Sequence, residues 1–65
     1  MTPELLTEQE ASDLLKVPVM TLRYWRWQKR GPRYIKLESR VRYRPSDLNA
    51  YISAREVTPE VKVIA

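Results

Sequence analysis

Prolines and a single glycine divide this chain into short segments. Their positions limit the folds that the chain can adopt more than any other feature of the sequence. Pro18, the pair Gly31-Pro32, Pro45 and Pro59 interrupt the sequence at four points. Proline lacks a backbone N–H and disrupts a helix interior, so each of these points is expected to separate two elements. With 65 residues and no cysteine, the chain is expected to form one small domain around a modest core.

The first segment begins with a helix-start signature. Thr7 and Glu10 form a capping box, in which each side chain accepts a hydrogen bond from the backbone N–H of the other residue. Leu6 stands where a hydrophobic staple would meet Ala11. We therefore predict a helix from about Glu8 to Lys16, preceded by an irregular lead-in.

The second segment predicts another helix, from about Pro18 to Arg30. Proline suits the first turn of a helix, where its missing N–H is not needed. Gly31-Pro32 is expected to end the helix, with the glycine just past the last turn and the proline as a stop. Two short helices joined by a tight turn are typical of a helix-turn-helix.

The outer face of this second helix carries more large side chains than stability requires. At about 100° per residue, Leu22 and Trp25 turn toward the core. The opposite side carries Met20, Arg23, Tyr24 and Trp27. Exposed aromatics beside arginines usually mark a contact surface. The alternative is that Trp27 folds back as a lid on the segment that follows Gly31.

Residues 33–44 alternate between apolar and basic side chains, which predicts a β-hairpin. A two-residue loop at Glu38-Ser39 would mix apolar and basic residues on each face. A three-residue loop that begins at Glu38 instead places Leu37 beside Val41 and keeps one face apolar. We therefore predict the three-residue loop.

A last helix is predicted after Pro45, with Ser46 as its N-cap. Its expected inner stripe consists of Leu48, Tyr51 and Ile52. Thr58-Pro59 is expected to stop it. The predicted domain boundaries are accordingly 1–57 for the folded domain and 58–65 for a C-terminal tail.

Positive charge is concentrated rather than spread. Nine of the twelve basic residues fall between Thr21 and Arg44, against one acid, Glu38. In the predicted hairpin register, Lys36 and Arg42 face each other, and like charges across a strand pair are destabilising. Because five of the six aromatic residues share this stretch, the pattern indicates a polyanion surface, most often one for nucleic acid.

Composition argues against several other classes of protein. The chain has no histidine and no cysteine, so the common nucleophile–base pairs and thiolate metal sites cannot be assembled. We expect neither an enzyme nor a bound cofactor or metal. No apolar run approaches the ~18 residues of a membrane span, and no signal peptide is visible. A cytoplasmic, nucleoid-associated protein is expected.

Several segments resemble a known group of DNA-binding proteins. Leu14-Leu15-Lys16-Val17, followed by Thr21-Leu22-Arg23-Tyr24-Trp25, resembles the second-helix signature of MerR-like domains. Residues 31–37, 40–44 and 46–48 resemble the small excisionase and AlpA-like branch of that group. The ordered set of motifs is more specific than any one of them.

The resemblance covers about residues 6–55 and implies a winged helix-turn-helix, mainly α with a small β-hairpin. In that family the second helix enters the major groove, and the hairpin wing contacts the backbone or the minor groove. The residues expected in the major groove are Met20, Thr21, Arg23, Tyr24, Trp27 and Gln28. The residues expected on the backbone or minor groove are Arg26, Arg30, Arg33, Lys36, Arg40, Arg42 and Arg44.

Three positions depart from the family pattern. Lys16 and Glu38 stand where the family usually has glycine, and Pro18 stands where it has serine or aspartate. The turn between the first two helices is therefore expected to differ in shape from that of the family. Glu38 also places a negative charge beside the DNA.

The resemblance implies an excisionase, which binds repeated sites, bends DNA and steers the integrase of a prophage or mobile element toward excision. A small transcription regulator of a prophage or genomic island is the alternative, and an RNA-binding or protein-interaction module is a more remote one. The residues after Ile52 are too few for the dimerisation helix and effector domain of a full MerR-type regulator. Expected partners are double-stranded DNA, an integrase, and further copies of the chain bound head to tail on DNA.

Overall fold

The computed structural model describes residues 4–59, which form three helices and a three-stranded antiparallel sheet. The elements in chain order are β1 (Leu6–Thr7), α1 (Glu8–Leu15), α2 (Val19–Trp27), β2 (Ile35–Leu37), β3 (Arg40–Tyr43) and α3 (Pro45–Ala54). The strand order is β1-β3-β2. This arrangement confirms the predicted winged helix-turn-helix, with β2 and β3 as the wing. Most of the predicted C-terminal tail, residues 60–65, lies outside the described residues.

The capping box at the start of α1 is confirmed. The backbone N–H of Thr7 donates to Oε1 of Glu10 at 2.9 Å, and the N–H of Glu10 donates to Oγ1 of Thr7 at 3.1 Å. The helix ends at Leu15, where Lys16 adopts a left-handed conformation with a φ of 57°. This residue turns the chain sharply toward α2.

The second helix is shorter than predicted at both ends. Pro18 is the N-cap and lies outside the first turn. At the other end, Lys29 rather than Gly31 takes the left-handed position, with a φ of 59°. The N–H of Lys29 donates to the carbonyl of Arg26, and that of Arg30 to the carbonyl of Trp25, which is a Schellman ending.

Gly31 has a different structural role from the one predicted. Its φ is +96°, and a Cβ added there would lie 3.0 Å from the Cβ of Trp25. The glycine is therefore needed because the chain crosses close over the Trp25 side chain, in a backbone conformation that other residues rarely adopt.

The register of the wing differs from the predicted one. The aligned pairs are Ile35 with Arg42, Lys36 with Val41, and Leu37 with Arg40. The loop is therefore the two-residue Glu38-Ser39, and the predicted three-residue loop is wrong. Lys36 and Arg42 each lie opposite an apolar residue, so the predicted like-charge pair does not form.

The strand β1 was not predicted from the sequence. β1 pairs with the other edge of β3 and places Leu6 opposite Tyr43. Directly opposed residues point to the same face of a sheet, so Leu6 completes the core face beside Tyr43. Ile35 is not needed there and lies on the other face with Leu37, which is 49% exposed.

The last helix also begins and ends earlier than predicted. Pro45 is its first residue and Arg44 its N-cap, so the prediction of Ser46 as the cap is wrong. Proline is well suited to that first position because its missing N–H has no intrahelical partner there. Leu48 is buried as predicted and Tyr51 is partly buried, whereas Ile52 is exposed.

A small core joins the three helices to β1 and β3. Ala11 of α1, Leu22 of α2, Tyr43 of β3 and Leu48 of α3 are fully buried. Partly buried side chains pack around them: Leu6, Leu15, Val17, Trp25 and Val41. Because α2 contributes only Leu22 and Trp25 to this core, most of its remaining circumference is free to contact a partner.

Candidate nucleic-acid interface

The outward face of α2 is dominated by large apolar side chains. Met20 is 69% exposed, Tyr24 is 51% exposed and Trp27 is 78% exposed. Leu22 and Trp25 lie on the core side, as the helical periodicity predicted. The alternative in which Trp27 forms a lid on the core is therefore wrong. We call Met20, Tyr24 and Trp27 the apolar face of α2.

The two aromatics of this face are held in a fixed arrangement. The rings of Tyr24 and Trp27 stack with centroids 6.1 Å apart and an angle of 26° between their planes. Gln28 donates through Nε2 to the Tyr24 hydroxyl at 2.8 Å, and the Arg30 guanidinium carbon lies 5.8 Å from the Tyr24 ring centroid. A surface already ordered in this way loses little side-chain entropy when it binds a partner.

Arg23 lies at the edge of the same helix and is bonded to α1. Its Nε donates to Oε2 of Glu8 at 3.0 Å, while about half of the side chain stays exposed. Thr21, also expected in the groove, is only partly exposed. The ion pair therefore orients Arg23, and the predicted base contact would use its terminal guanidinium nitrogens.

Arg26, which was predicted to contact the DNA backbone or minor groove, makes several contacts within the protein. Its side chain is 15% exposed and donates to Oε2 of Glu8 at 3.0 Å and to the Tyr43 hydroxyl at 2.8 Å. Burial would lower the pKa of Arg26, but hydrogen bonds to Tyr43 and Glu8 and the charge of Glu8 raise it overall. Arg26 thus stays cationic and connects α1, α2 and β3.

Glu8 is the shared acceptor of this network. Partial burial alone would raise the pKa of its carboxyl, but hydrogen bonds from Arg23 and Arg26, together with their charges, lower it below the ordinary 4.5. The carboxylate is therefore ionised at neutral pH. It fixes the orientation of α2 against the start of α1.

A basic cavity of about 430 Å³ lies beside the end of α2, where the chain leaves the helix for the wing. Its lining consists of Arg26, Lys29, Arg30, Gly31, Pro32, Arg33, Tyr34 and Arg44. Five of these side chains are cationic and none is acidic, and the Arg26 guanidinium carbon lies 5.6 Å from the Tyr34 ring centroid. Such a concentration of guanidinium and ammonium groups favours an anionic ligand such as a phosphate.

The wing carries the remaining predicted basic residues. Lys36 and Arg40 are exposed. Arg42 is partly buried, and its guanidinium donates to the carbonyl of Val41 at 2.8 Å. Arg44 forms an ion pair with Asp47 at 3.2 Å. The predicted backbone contacts therefore divide into a cavity group (Arg26, Arg30, Arg33, Arg44) and a wing group (Lys36, Arg40, Arg42).

Sequence reasoning left three residues of this region without a role. Lys29 and Tyr34 line the basic cavity, and Glu8 holds the two arginines of α2. Lys29 and Tyr34 belong to the basic and aromatic stretch and could have been included on that signal. The role of Glu8 has no sequence signal because its partners are 15 and 18 residues away.

Within residues 4–59, no group of three or more acidic, histidine or cysteine side chains is placed to hold a metal ion. In the same part of the chain, no helix is long and apolar enough to cross a membrane.

Comparison with known proteins identifies the fold family. The family model described as "Helix-turn-helix domain" matches residues 5–56, which is most of the chain and includes every helix and strand described above. No curated protein and no solved structure matches the chain.

Proposed function

Because the chain belongs to the helix-turn-helix domain family, we propose that it binds specific sequences of double-stranded DNA through α2 and the wing. In such domains the second helix lies in the major groove and reads base edges. The observation that carries the proposal is the position of the basic cavity directly beside the exposed face of α2. One element thus offers a groove-reading surface, and the next offers cations for the flanking phosphates.

The chemistry and exposure of the side chains indicate which residues contact bases and which contact phosphates. Met20, Tyr24 and Trp27 project from α2 and can reach base edges. Of the cavity cations, Lys29, Arg30 and Arg33 lie at one end of α2, where they can neutralise phosphates of one strand. Phosphate contacts fix the position of a protein on DNA, and base contacts supply its sequence preference. Lys36 and Arg40 extend the positive surface along the wing.

The finer proposal is an excisionase of a prophage or integrated mobile element. It is supported by the resemblance of residues 31–37, 40–44 and 46–48 to small excisionase and AlpA-like proteins. In this role the protein binds repeated sites, bends the DNA and biases an integrase toward excision. It acts in the cytoplasm without catalysing a reaction itself and without a cofactor.

Head-to-tail association on DNA is part of the proposal. A single small module buries only about 600–1,000 Å² on DNA, which limits its affinity. The exposed outer side of α1 is acidic, with Glu10 and Asp13, whereas the wing is basic. Opposite charges on two different surfaces favour a contact that repeats along the duplex rather than closing into a symmetric dimer.

The first experiment selects duplexes from a random library with the full chain and measures affinity for the recovered sequence. We expect a preferred duplex site, bound at least tenfold more tightly than a scrambled duplex or double-stranded RNA of the same sequence. The double variant Arg30→Ala, Arg33→Ala should bind all duplexes more weakly. Arg55→Gln, which removes an exposed cation outside the cavity, is the matched control. Equal binding to duplex RNA and duplex DNA would contradict the proposal.

The second experiment tests the excisionase role. Supercoiled DNA that carries the attachment sites of the element is incubated with its integrase, with and without the protein. We expect excision to depend on the protein, and fragments with one, two and three sites to show rising affinity per site. Unchanged excision, together with specific binding at a promoter, would assign the chain to transcription regulation instead.

A further inference from the structure

The polar side chains that a helix commonly uses to read bases are already engaged on α2. Bidentate contacts from glutamine to adenine and from arginine to guanine are the common means of recognition in the major groove. Here Gln28 donates to the Tyr24 hydroxyl at 2.8 Å, and Nε of Arg23 donates to Glu8 at 3.0 Å. These bonds orient the two side chains, while the terminal nitrogens of Arg23 and the amide oxygen of Gln28 can still contact bases.

Beside Arg23, the exposed face of α2 is apolar. Met20, Tyr24 and Trp27 are exposed together, and the two rings are already stacked in one arrangement. Met20 and Tyr24 are four residues apart, and Tyr24 and Trp27 are three apart, which places all three on one side of the helix. The surface is thus continuous along the helix rather than scattered.

The major groove of DNA has one apolar feature that such a surface can recognise, the C5-methyl group of thymine. We propose that the apolar face of α2 reads thymine methyl groups and that this contact contributes to the base specificity of the protein. The inference rests on the proposed function and names the chemical group that the same site recognises.

The charge around the apolar face favours DNA over an apolar protein partner. Arg30 lies over the Tyr24 ring, and the basic cavity that begins at Arg26 borders the end of the helix. The stretch from Thr21 to Arg44 contains nine basic residues and one acid. A partner that fits this surface must offer apolar groups flanked by negative charge, which thymine methyls between two phosphate backbones provide.

The test replaces thymine by deoxyuridine in the selected duplex. This change removes the methyl groups and leaves the Watson–Crick edges and the phosphates unaltered. We expect affinity to fall about fourfold for each contacted methyl, the equivalent of exposing one buried methylene. The measurement is a fluorescence-anisotropy titration of the full chain against both duplexes at one salt concentration.

Protein variants then assign the effect to α2. Trp27→Ala and Met20→Gln should bind the thymine and uridine duplexes with similar affinity. Ile52→Ala, which removes an exposed apolar side chain from α3, should keep the discrimination of the unmodified protein. Thermal melts confirm that each variant is folded, and the two α2 variants serve as independent tests of the same face.

Three results would overturn the inference. Specific binding with equal affinity for thymine and uridine would exclude methyl recognition and leave the proposed DNA binding intact. If Trp27→Ala and Met20→Gln both still bind the thymine duplex more tightly than the uridine duplex, the methyl contact lies elsewhere on the protein. If no duplex sequence is preferred over a scrambled one, the proposed function fails and this inference fails with it.

Discussion

Arg26 donates a hydrogen bond to the hydroxyl of Tyr43 at 2.8 Å, which connects α2 to the central strand of the sheet. Tyr43 is otherwise fully buried, so its hydroxyl is the one polar atom on a large core side chain. The bond lets the residue fill the core and also hold the helix proposed to enter the groove. The angle between α2 and the wing therefore depends on this pair.

Tyr43→Phe keeps the buried ring and removes the hydroxyl. We expect the free energy of unfolding to fall by about 1–2 kcal/mol, because a partly buried charged donor loses its partner. Chemical denaturation measures the change. Tyr34→Phe is the control, since it keeps the ring beside Arg26 and alters a more exposed side chain. An equal loss of unfolding free energy in both variants would show that the hydrogen bond from Arg26 to Tyr43 does not stabilise the fold.

Glu8→Gln should make stability less dependent on pH. Because Arg23 and Arg26 lower the pKa of Glu8 in the folded state, its stabilisation is complete above the ordinary value of 4.5 and is lost as pH falls through the folded pKa. We expect the variant to be about 1–2 kcal/mol less stable at pH 7, between the values for exposed and buried ion pairs.

Thermal melts from pH 7 down to acid conditions check this expectation for Glu8. The stability gap between Glu8→Gln and the unmodified protein should close below pH 4.5. Glu38→Gln, at the exposed wing tip, removes an equal charge outside the network. A constant gap across the whole pH range would show that Glu8 acts through shape rather than charge.

Lys16→Gly and Glu38→Gly should each stabilise the fold. Both residues have a φ of 57°, a left-handed conformation in which a side chain is strained and glycine is not. We expect gains of up to about 1 kcal/mol in unfolding free energy, with the higher flexibility of glycine in the unfolded chain offsetting part of the relief. Gly31→Ala should do the opposite, because its φ is +96° and Trp25 blocks the added methyl.

The two tryptophans of α2 should respond differently to truncation. Trp25 packs against the core and lies 5.7 Å from the ring of Tyr51, so Trp25→Ala is expected to cost about 3 kcal/mol, the lower end of the range for a large core residue. Trp27→Ala should leave the melting temperature nearly unchanged and lower DNA affinity. A similar fall in melting temperature in both variants would mean that Trp27 also stabilises the fold.

Binding to duplex DNA should depend steeply on salt. If the cavity and wing cations together neutralise about five or six phosphates, a plot of log affinity against log salt should have a slope of roughly −4 to −5. Arg40→Ala should reduce the steepness by about one. A slope close to zero would contradict phosphate binding by this surface.

Local signals in the sequence were sufficient for the helices and for the core side of α2. The capping box of Thr7 and Glu10 acts within one turn, and helical periodicity predicts Leu22 and Trp25 on the core side. That Trp27 does not fold back as a lid was decided by the structure. The left-handed conformations of Lys16 and Glu38 were not predicted from the sequence.

The wing register and the Glu8 network were decided by tertiary structure. Alternation along β2 and β3 fixes which residues of each strand share a face, but the choice of face depends on what already fills the core. Leu6, brought from the start of the chain, lies on the core face beside Tyr43 at one edge of β3, whereas at the other edge the two-residue loop turns the apolar residues of β2 to the opposite face. Contacts between residues far apart in sequence, such as Glu8 with Arg26, leave no local pattern, because only the packing of α1 against α2 brings them together.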